Sequence, residues 1–462
     1  MRQRQWLAAG SSLICVLAAT AAGRAQRRQL QAKPFSIPSI IKNNAWDEAI
    51  AGTRFRVPYD QQDQPASSRK ADAALQRELA LRIQRAGMLR VIARPAAGQL
   101  KHRYLIPGAG YYQLFDWDTY FMGVALSYHG RGRSLASSVE DFLDFTNSRA
   151  GYRGYTPREA TAKAFWALPE QCKPFLAQMA LRASQTLGSA AWLRPYYKRL
   201  ADTLAYWRQA RRAPDGLYTW FDGVESGVDN SPAVSSQPAN VTEGVDLACY
   251  LVREDRAMAA LAKMLNKNND AERYTRRARR LTRLIQTRLW DAPEASFYNR
   301  DRRTGKFVRV PEWTNLTPLW ARVATPAQAR AIIEQHLLNP KEFWSAYGVR
   351  TLAAESPQYN PASGYWRGPI WIVTDYMMMH GLMHYGYPQQ ARQLARRTAR
   401  LLLADFKATG GMHECYDPRS GAGEAQGHFE SWDLLGAVMI HEAWSGENAA
   451  SVKTAITAAP RK

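Results

Sequence analysis

Residues 386–402 read G-Y-P-Q-Q-A-R-Q-L-A-R-R-T-A-R-L-L. Ala391, Leu394, Ala395, Thr398, Leu401 and Leu402 recur at helical spacing, and the arginines fall on the opposite face. That is the pattern of an amphipathic helix lying on a core. The link Gly386-Tyr387-Pro388 separates it from an earlier helical run near 369–386, and so short a link makes the two helices antiparallel neighbours. The same reading along the chain predicts twelve helices, near 73–88, 118–130, 136–147, 171–187, 190–211, 241–265, 268–290, 313–323, 326–337, 369–386, 389–406 and 428–445. Many pair across short links. Two-residue alternation is confined to short runs such as R-V-I-A at 90–93 and F-V-R-V at 307–310. The expected fold class is therefore all-α, an (α/α)6 barrel in which six hairpins close into a ring of inner and outer helices.

The ends of the chain read differently. M-R-Q-R-Q precedes the apolar run W-L-A-A-G-S-S-L-I-C-V-L-A-A-T-A-A, and small residues near Ala19–Ala25 suit a cleavage site. This is the layout of a secretory signal peptide over 1–25, so a periplasmic or secreted protein is expected, with no transmembrane domain in the mature chain. Residues 26–70, rich in Gln, Lys, Arg, Pro and Ser, are expected to form an extended arm, 71–446 the barrel, and 447–462 a flexible tail. The formal charge of +22 falls to +19 once Arg2, Arg4 and Arg24 leave with the leader. The basic runs at 208–212, 276–280 and 396–400 are scattered, and the last two read as the solvent faces of amphipathic helices. A phosphate-binding stripe would cluster on one face, so no nucleic-acid partner is expected. Cys172, Cys249 and Cys415 have no zinc spacing.

The long connections, near 102–117, 148–170, 212–240, 291–312, 338–368 and 407–427, collect most of the Gly, aromatic and acidic residues. G-Y-Y-Q-L-F-D-W-D-T-Y-F at 110–121 has six aromatic rings and two acids. Cores use aromatics but rarely want carboxylates among them, whereas a sugar offers C–H faces to rings and hydroxyls to acids. G-Y-W-R-G-P-I-W at 364–371 sets aromatics and one strong donor at a helix start. D-G-V-E-S-G-V-D-N-S-P at 222–232 places Asp222, Glu225 and Asp229 on one Gly- and Pro-bounded loop. H-E-C-Y-D-P-R-S-G at 413–421 puts Glu414 just ahead of a turn. No P-loop, dinucleotide fingerprint or nucleophile elbow is present, and His380 and His384 lack the Glu of the metalloprotease helix motif, so no cofactor and no metal are expected.

Together these loops resemble the α/α-barrel glycosidases that include trehalases and glycoside hydrolase family 63. Y-Y-Q-L-F-D-W-D-T-Y-F looks like the first trehalase signature. E-S-G-V-D-N-S-P, Y-W-R-G-P-I-W and E-x-Y-D-P-x-x-G followed by an aromatic-x-W helix are similar to family 63. The resemblance covers about 100–445. It implies that Asp229 is the general acid and Glu414 the general base of an inverting α-glycosidase, most simply an α-glucosidase acting on a small α-glucoside or oligosaccharide. It further implies that Phe115, Trp117, Asp118, Glu225, Asn230, Trp366, Arg367, Gly368, Trp371 and Trp432 shape or line the sugar site. Inversion needs one carboxyl that holds a proton and one that is ionised, roughly 6.5–9.5 Å apart with a water between. The chain has no room for the separate N-terminal β domain of the eukaryotic processing glucosidases and resembles a short bacterial member. A trehalase is the nearest alternative, and a non-catalytic glycan-binding envelope protein is the alternative of another class.

Overall fold

The computed structural model describes residues 66–164 and 169–445. The expected leader, nearly all of the expected arm and the expected tail lie outside them. Among the described residues twelve helical segments build the barrel, one of them a single turn. They are α1 (Ala66–Arg85), α2 (Asp116–Ser127), α3 (Gly132–Asp144), α4 (Leu176–Leu187), α5 (Tyr197–Arg211), α6 (Val245–Met264), α7 (Asn268–Arg288), α8 (Thr317–Trp320), α9 (Pro326–Ile332), α10 (Ile372–His384), α11 (Pro388–Thr409) and α12 (Gly436–Ser445). A 3-10 turn, Trp313–Leu316, leads into α8, a π turn, Ile333–Leu337, extends α9, and a 3-10 turn, Trp432–Leu435, opens α12.

Burial divides the helices into two sets that alternate along the chain. Every residue of α2 is buried, and so are Ile372–Leu382 of α10. A helix buried all round belongs to the inside of a bundle. By contrast α7 buries a single stripe, Ala271, Tyr274, Ala278, Leu281 and Ile285, and turns its arginines outward. The inner helices close a ring. α2 packs on α4, α4 on α6, α6 on α8, α8 on α10 and α10 on α12, and the turn Trp432–Leu435 returns to α2. The architecture is an (α/α)6 barrel.

The helix boundaries correct the sequence reading in places. α1 begins at Ala66, ahead of the expected start, so residues 66–70 belong to the barrel and not to the arm. The stretch A-S-S-R-K has no apolar period that would mark a helix. It is held by the tertiary structure: Arg396 forms an ion pair with Asp72 at 2.6 Å, Trp444 Nε1 donates to the same carboxylate at 3.0 Å, and Arg69 lies over the Trp444 ring. Of R-V-I-A at 90–93, Arg90 and Val91 end the helical turn Met88–Val91 and Ala93 begins a strand, and Phe307–Val308 is a strand.

Small antiparallel ladders brace the long loops. β1 (Ala93–Arg94) pairs with β2 (Tyr104–Leu105), and β3 (Leu114–Phe115) with β4 (Glu159–Ala160). β5 (Thr242–Glu243) pairs with β8 (Asn299–Asp301), which also pairs with β9 (Phe307–Val308). β6 (Trp290–Asp291) pairs with β7 (Ser296–Phe297), and β10 (His413–Tyr416) with β11 (Gly423–Gly427).

Each long loop runs from an outer helix to the N-terminus of an inner one, and each is tied to the next. Lys173 before α4 bonds Asp116 of α2 at 3.1 Å. Gln171 N, also before α4, donates to Glu225 before α6 at 3.2 Å. Ser231 before α6 donates to Glu312 before α8 at 2.6 Å. Glu312 bridges Leu352 before α10, Ile370 bridges Tyr416 before α12, and Ser431 donates to Asp118 of α2 at 2.8 Å. The contacts make a complete circuit around one mouth of the barrel, at the ends where the inner-helix dipoles are positive.

Candidate active site

The acid-bearing loop is built from two single helical turns. Asp222 caps the first, Gly223–Ser226, by accepting from Glu225 N at 2.8 Å. Ser231 caps the second, Pro232–Ser235, by accepting from Ala233 N at 3.2 Å. Between them the chain reverses at Gly227, whose φ is +77°. A Cβ there would lie 2.6 Å from Lys173 Cε and 3.0 Å from the Trp117 ring, so only glycine lets the loop approach. The two caps leave Asp229 projecting and exposed.

Two residues expected to shape or line the sugar site are held by protein partners. Glu225 is fully buried and holds the loop instead. Arg211 Nη2 donates to it at 2.7 Å, and Phe221 N and Gln171 N also donate. Asn230 is a clamp between loops: its amide donates to Gly364 O at 2.9 Å, and its side-chain oxygen accepts from Trp366 N at 3.1 Å. Arg367 Nε donates to Asn230 O at 3.1 Å, which closes the same junction. Both are positioning residues for Asp229.

No side chain among the described residues hydrogen-bonds the Asp229 carboxylate. Its surroundings still cost it hydration, and desolvation pushes it up to about 6, with the Asp222 charge adding and Arg158 and Lys173 opposing. It is open to solvent yet walled by protein, as a proton donor at the mouth of a recess should be.

Glu414 sits differently. It lies on β10 where the register with β11 shifts between His413 and Cys415, an irregularity of the kind that re-aims a side chain. The strand is fixed from behind, because Tyr416 Oη bonds Asp405 at 3.0 Å and Asp433 at 3.2 Å. Tyr365 Oη donates to Glu414 Oε1 at 3.0 Å, Gln426 N lies 3.4 Å from Oε2, and Tyr111 supplies a further hydrogen bond. Burial pushes Glu414 up to about 7 and Asp229 adds to this, while these donors pull it down by favouring the ionised form. The charges of Asp229 and Glu414 both act on Tyr111 and Tyr365. The two carboxyls, 185 positions apart in sequence, therefore lie within electrostatic reach of the same two tyrosine hydroxyls.

The aromatic residues form the floor. Phe115, half-buried, meets Tyr111 edge-on at 6.2 Å and lies under Arg158. Trp366 and Trp371 stack at 3.7 Å and 9°, Trp117 packs on Trp366 at 5.8 Å, Trp432 on Trp371 at 5.6 Å, and Trp117 meets Trp432 at 5.5 Å. All four tryptophans are nearly closed to solvent. Trp371 is a supporting layer, since its indole donates to Tyr365 O at 3.0 Å. Gly368 is buried with φ +137°, and a Cβ there would meet the Tyr359 ring at 2.7 Å, so it shapes the loop. Asp118 accepts from Ser431 Oγ and is pushed up to about 7 by burial.

Tyr111, Tyr365, Arg158, Lys173 and Glu312 belong to this site and were not singled out from the sequence. The two tyrosines stand inside quoted motifs, and a hydroxyl beside a carboxylate loop was the available signal. Nothing local marks Lys173, whose partner Asp116 is 57 positions away. Among the described residues no group of three or more His, Cys, Asp or Glu is placed to hold a metal ion, and Cys172, Cys249 and Cys415 are buried and unbridged.

The sequence profile described as the Mannosylglycerate hydrolase MGH1-like glycoside hydrolase domain matches residues 111–432. The chain is 30% identical over 183 residues to the mannosylglycerate hydrolase of Rubrobacter radiotolerans, covering 39% of this chain and 40% of that protein. It is 25% identical over 234 residues to a probable mannosyl-oligosaccharide glucosidase of Schizosaccharomyces pombe, covering 47% and 28%. The matched part thus spans two-fifths or less of these relatives' own lengths. In fold the chain is similar to the GH63 mannosylglycerate hydrolase from Thermus thermophilus in complex with glucose, with TM-score 0.61, 20% identity, and coverage of 80% of this chain and 100% of that one. It is also similar to neutral trehalase Nth1 from Saccharomyces cerevisiae, with TM-score 0.56, 18% identity, and coverage of 74% and 75%.

Proposed function

The chain belongs to the mannosylglycerate hydrolase MGH1-like glycoside hydrolases of family 63, and on that premise we propose that it is an inverting α-glycosidase, acting on an α-glucoside of disaccharide or oligosaccharide size. The observation that carries the reading is the contrast between the two carboxyls within electrostatic reach of Tyr111 and Tyr365. Asp229 is exposed and has no donor among the described side chains, so it can hold a proton and deliver it to the glycosidic oxygen. Glu414 is buried and gripped by Tyr365, Tyr111 and Gln426 N, donors that favour its ionised form, so it can take a proton from water. In the free site the order of proton affinities is opposite to these roles, Asp229 near 6 and Glu414 near 7. A sugar ring lying on Asp229 removes its water and pushes it further up, which moves the pair toward the working state.

Export is part of the proposal, supported by the basic start and apolar run of residues 1–25. The mass of the protein recovered from the cell envelope fraction tests it, and retention of the full leader in the cytosol overturns it.

The catalytic reading is tested with α-linked substrates (trehalose, nigerose, kojibiose, maltose, glucosylglycerate and mannosylglycerate), following the released anomeric proton by NMR. The expected result is β-anomer from one substrate, abolished in Asp229→Asn and Glu414→Gln. First release of the α-anomer overturns inversion in favour of a covalent intermediate. No release from any of the panel, with sugar binding intact, favours a glycan-binding protein.

A further inference from the structure

Asp229 marks a direction. In an inverting glycosidase the general acid protonates the leaving oxygen, so the leaving group lies on the acid's side of the cleaved bond. Arg158 donates from Nη1 to Val224 O of the loop that carries Asp229 and lies over the Phe115 ring, and its charge acts on Asp229. Arg158 pairs with the adjacent Glu159 at 3.5 Å, and Glu159 stands opposite Phe115 in the β3–β4 ladder, where cross-strand partners share a face. Glu159 is also a wall of a separate cavity of about 560 Å3 lined by Tyr104, Tyr112, Gln113, Thr161 and Lys163. The path from the acid to this cavity is therefore Asp229, Arg158, Glu159.

From this, and resting on the glycosidase reading above, we propose that the cavity is the leaving-group subsite and that it takes at least one whole sugar ring, so that the substrate is an oligosaccharide and not a glycoside of a three-carbon acid. The volume lies within the range of about 300–1,000 Å3 typical of small-molecule sites, far more than glycerate fills. The lining suits a pyranose. Tyr112 is 65% exposed, one of four exposed large hydrophobic side chains among the described residues, and follows directly on Tyr111, the hydrogen-bond donor to Glu414. Gln113, Glu159, Thr161 and Lys163 supply donors and acceptors of both kinds around it. Tyr104, only 6% exposed, lines the buried side. Binding energy gathered there, remote from the broken bond, is available to raise the rate of the chemical step.

The test compares two substrates in each variant. α-D-Glucosyl fluoride and α-D-mannosyl fluoride have no leaving sugar, whereas an α-linked trisaccharide of the matching sugar has one. The quantity read is the ratio of kcat/KM for the trisaccharide to that for the fluoride. This ratio is expected to fall about tenfold in Tyr112→Ala and again in Lys163→Ala, both on exposed side chains of the cavity that do not touch Arg158 or Asp229. A ratio within twofold of the parent in both variants overturns the subsite. If neither fluoride is hydrolysed, the glycosidase reading fails separately. Saturation-transfer NMR with the trisaccharide then decides the subsite alone, which stands if Tyr112→Ala removes the signal and falls if the signal persists.

Discussion

Tyr365 is held at φ +59°, a left-handed conformation rare for a bulky side chain, and from there its hydroxyl reaches Glu414 at 3.0 Å. Backbone strain of this kind costs on the order of 1–3 kcal/mol and persists only where the surroundings enforce it. Here they do: Trp371 donates to the Tyr365 carbonyl, and Asn230 grips the residues on either side.

Tyr365→Phe should shift the acid limb of the pH profile. The hydroxyl favours ionised Glu414, so its loss raises the pKa, and a base that must be ionised then works only at higher pH. A hydrogen bond to a charged group contributes about 1.5–3 kcal/mol, which corresponds to a shift of about one to two units. The kcat/KM profile should move up on its acid side by that amount, with recovery at alkaline pH, while the thermal midpoint changes little. A uniform loss at every pH would argue that Tyr365 touches substrate instead.

The parent enzyme should show a narrow bell in kcat/KM with limbs near 6 and 7, values that belong to the coupled pair. At pH 6.5 about a quarter of Asp229 is protonated and about a quarter of Glu414 is ionised. The kcat profile, which reports the occupied site, should have its alkaline limb at higher pH, because the bound sugar dries Asp229. In Asp229→Asn acting on a glycosyl fluoride, whose leaving group needs no proton, the alkaline limb should vanish. Its survival there would assign the limb to another group.

Arg211→Ala should destabilise the fold by about 3–5 kcal/mol, since it strands the buried Glu225 charge. Burial already holds the Glu225 carboxyl above its ordinary range with Arg211 opposing, and without Arg211 it rises further, so the stability of the variant falls more steeply than the parent's as pH increases. The urea midpoint should drop more at pH 8 than at pH 5, and the opposite trend would contradict the assignment.

Gly227→Ala combines an unfavourable positive φ, about 1–2 kcal/mol, with overlap against Lys173 and Trp117, about 1–3 kcal/mol. Displacing Lys173 removes a charge that holds Asp229 down. The alkaline limb should therefore move upward while kcat/KM falls at least about tenfold. An unchanged limb with lowered stability would confine the effect to packing.

The helices were legible because outer ones such as α11 and α7 carry a stripe, and inner ones such as α10 are predominantly apolar. Their ends were less so: Thr242 and Glu243 join β8 in a strand ahead of α6, a pairing that lies outside any local window. Asp229 and Glu414 could be named from loop motifs, but the role of each neighbour could not. Glu225 looked like a sugar contact because a carboxylate beside an acid reads as functional. Its partner Arg211 ends a helix 14 positions earlier, and only the folded loop brings the two together. The motif allowed Asn230 to shape the Asp229 loop but could not name its partners, which lie more than 130 positions away.

The docking of α1 against α11 and α12 through Asp72, Arg396 and Trp444 places the first and last helices of the ring side by side. The barrel therefore has no privileged opening hairpin. A circular permutant that joins the ends near 66 and 445 and cuts the short link at 265–267 keeps every loop of the mouth intact, because that link lies between α6 and α7, away from all of them. The order of hairpins along the gene and their order around the sugar are separable properties of this molecule.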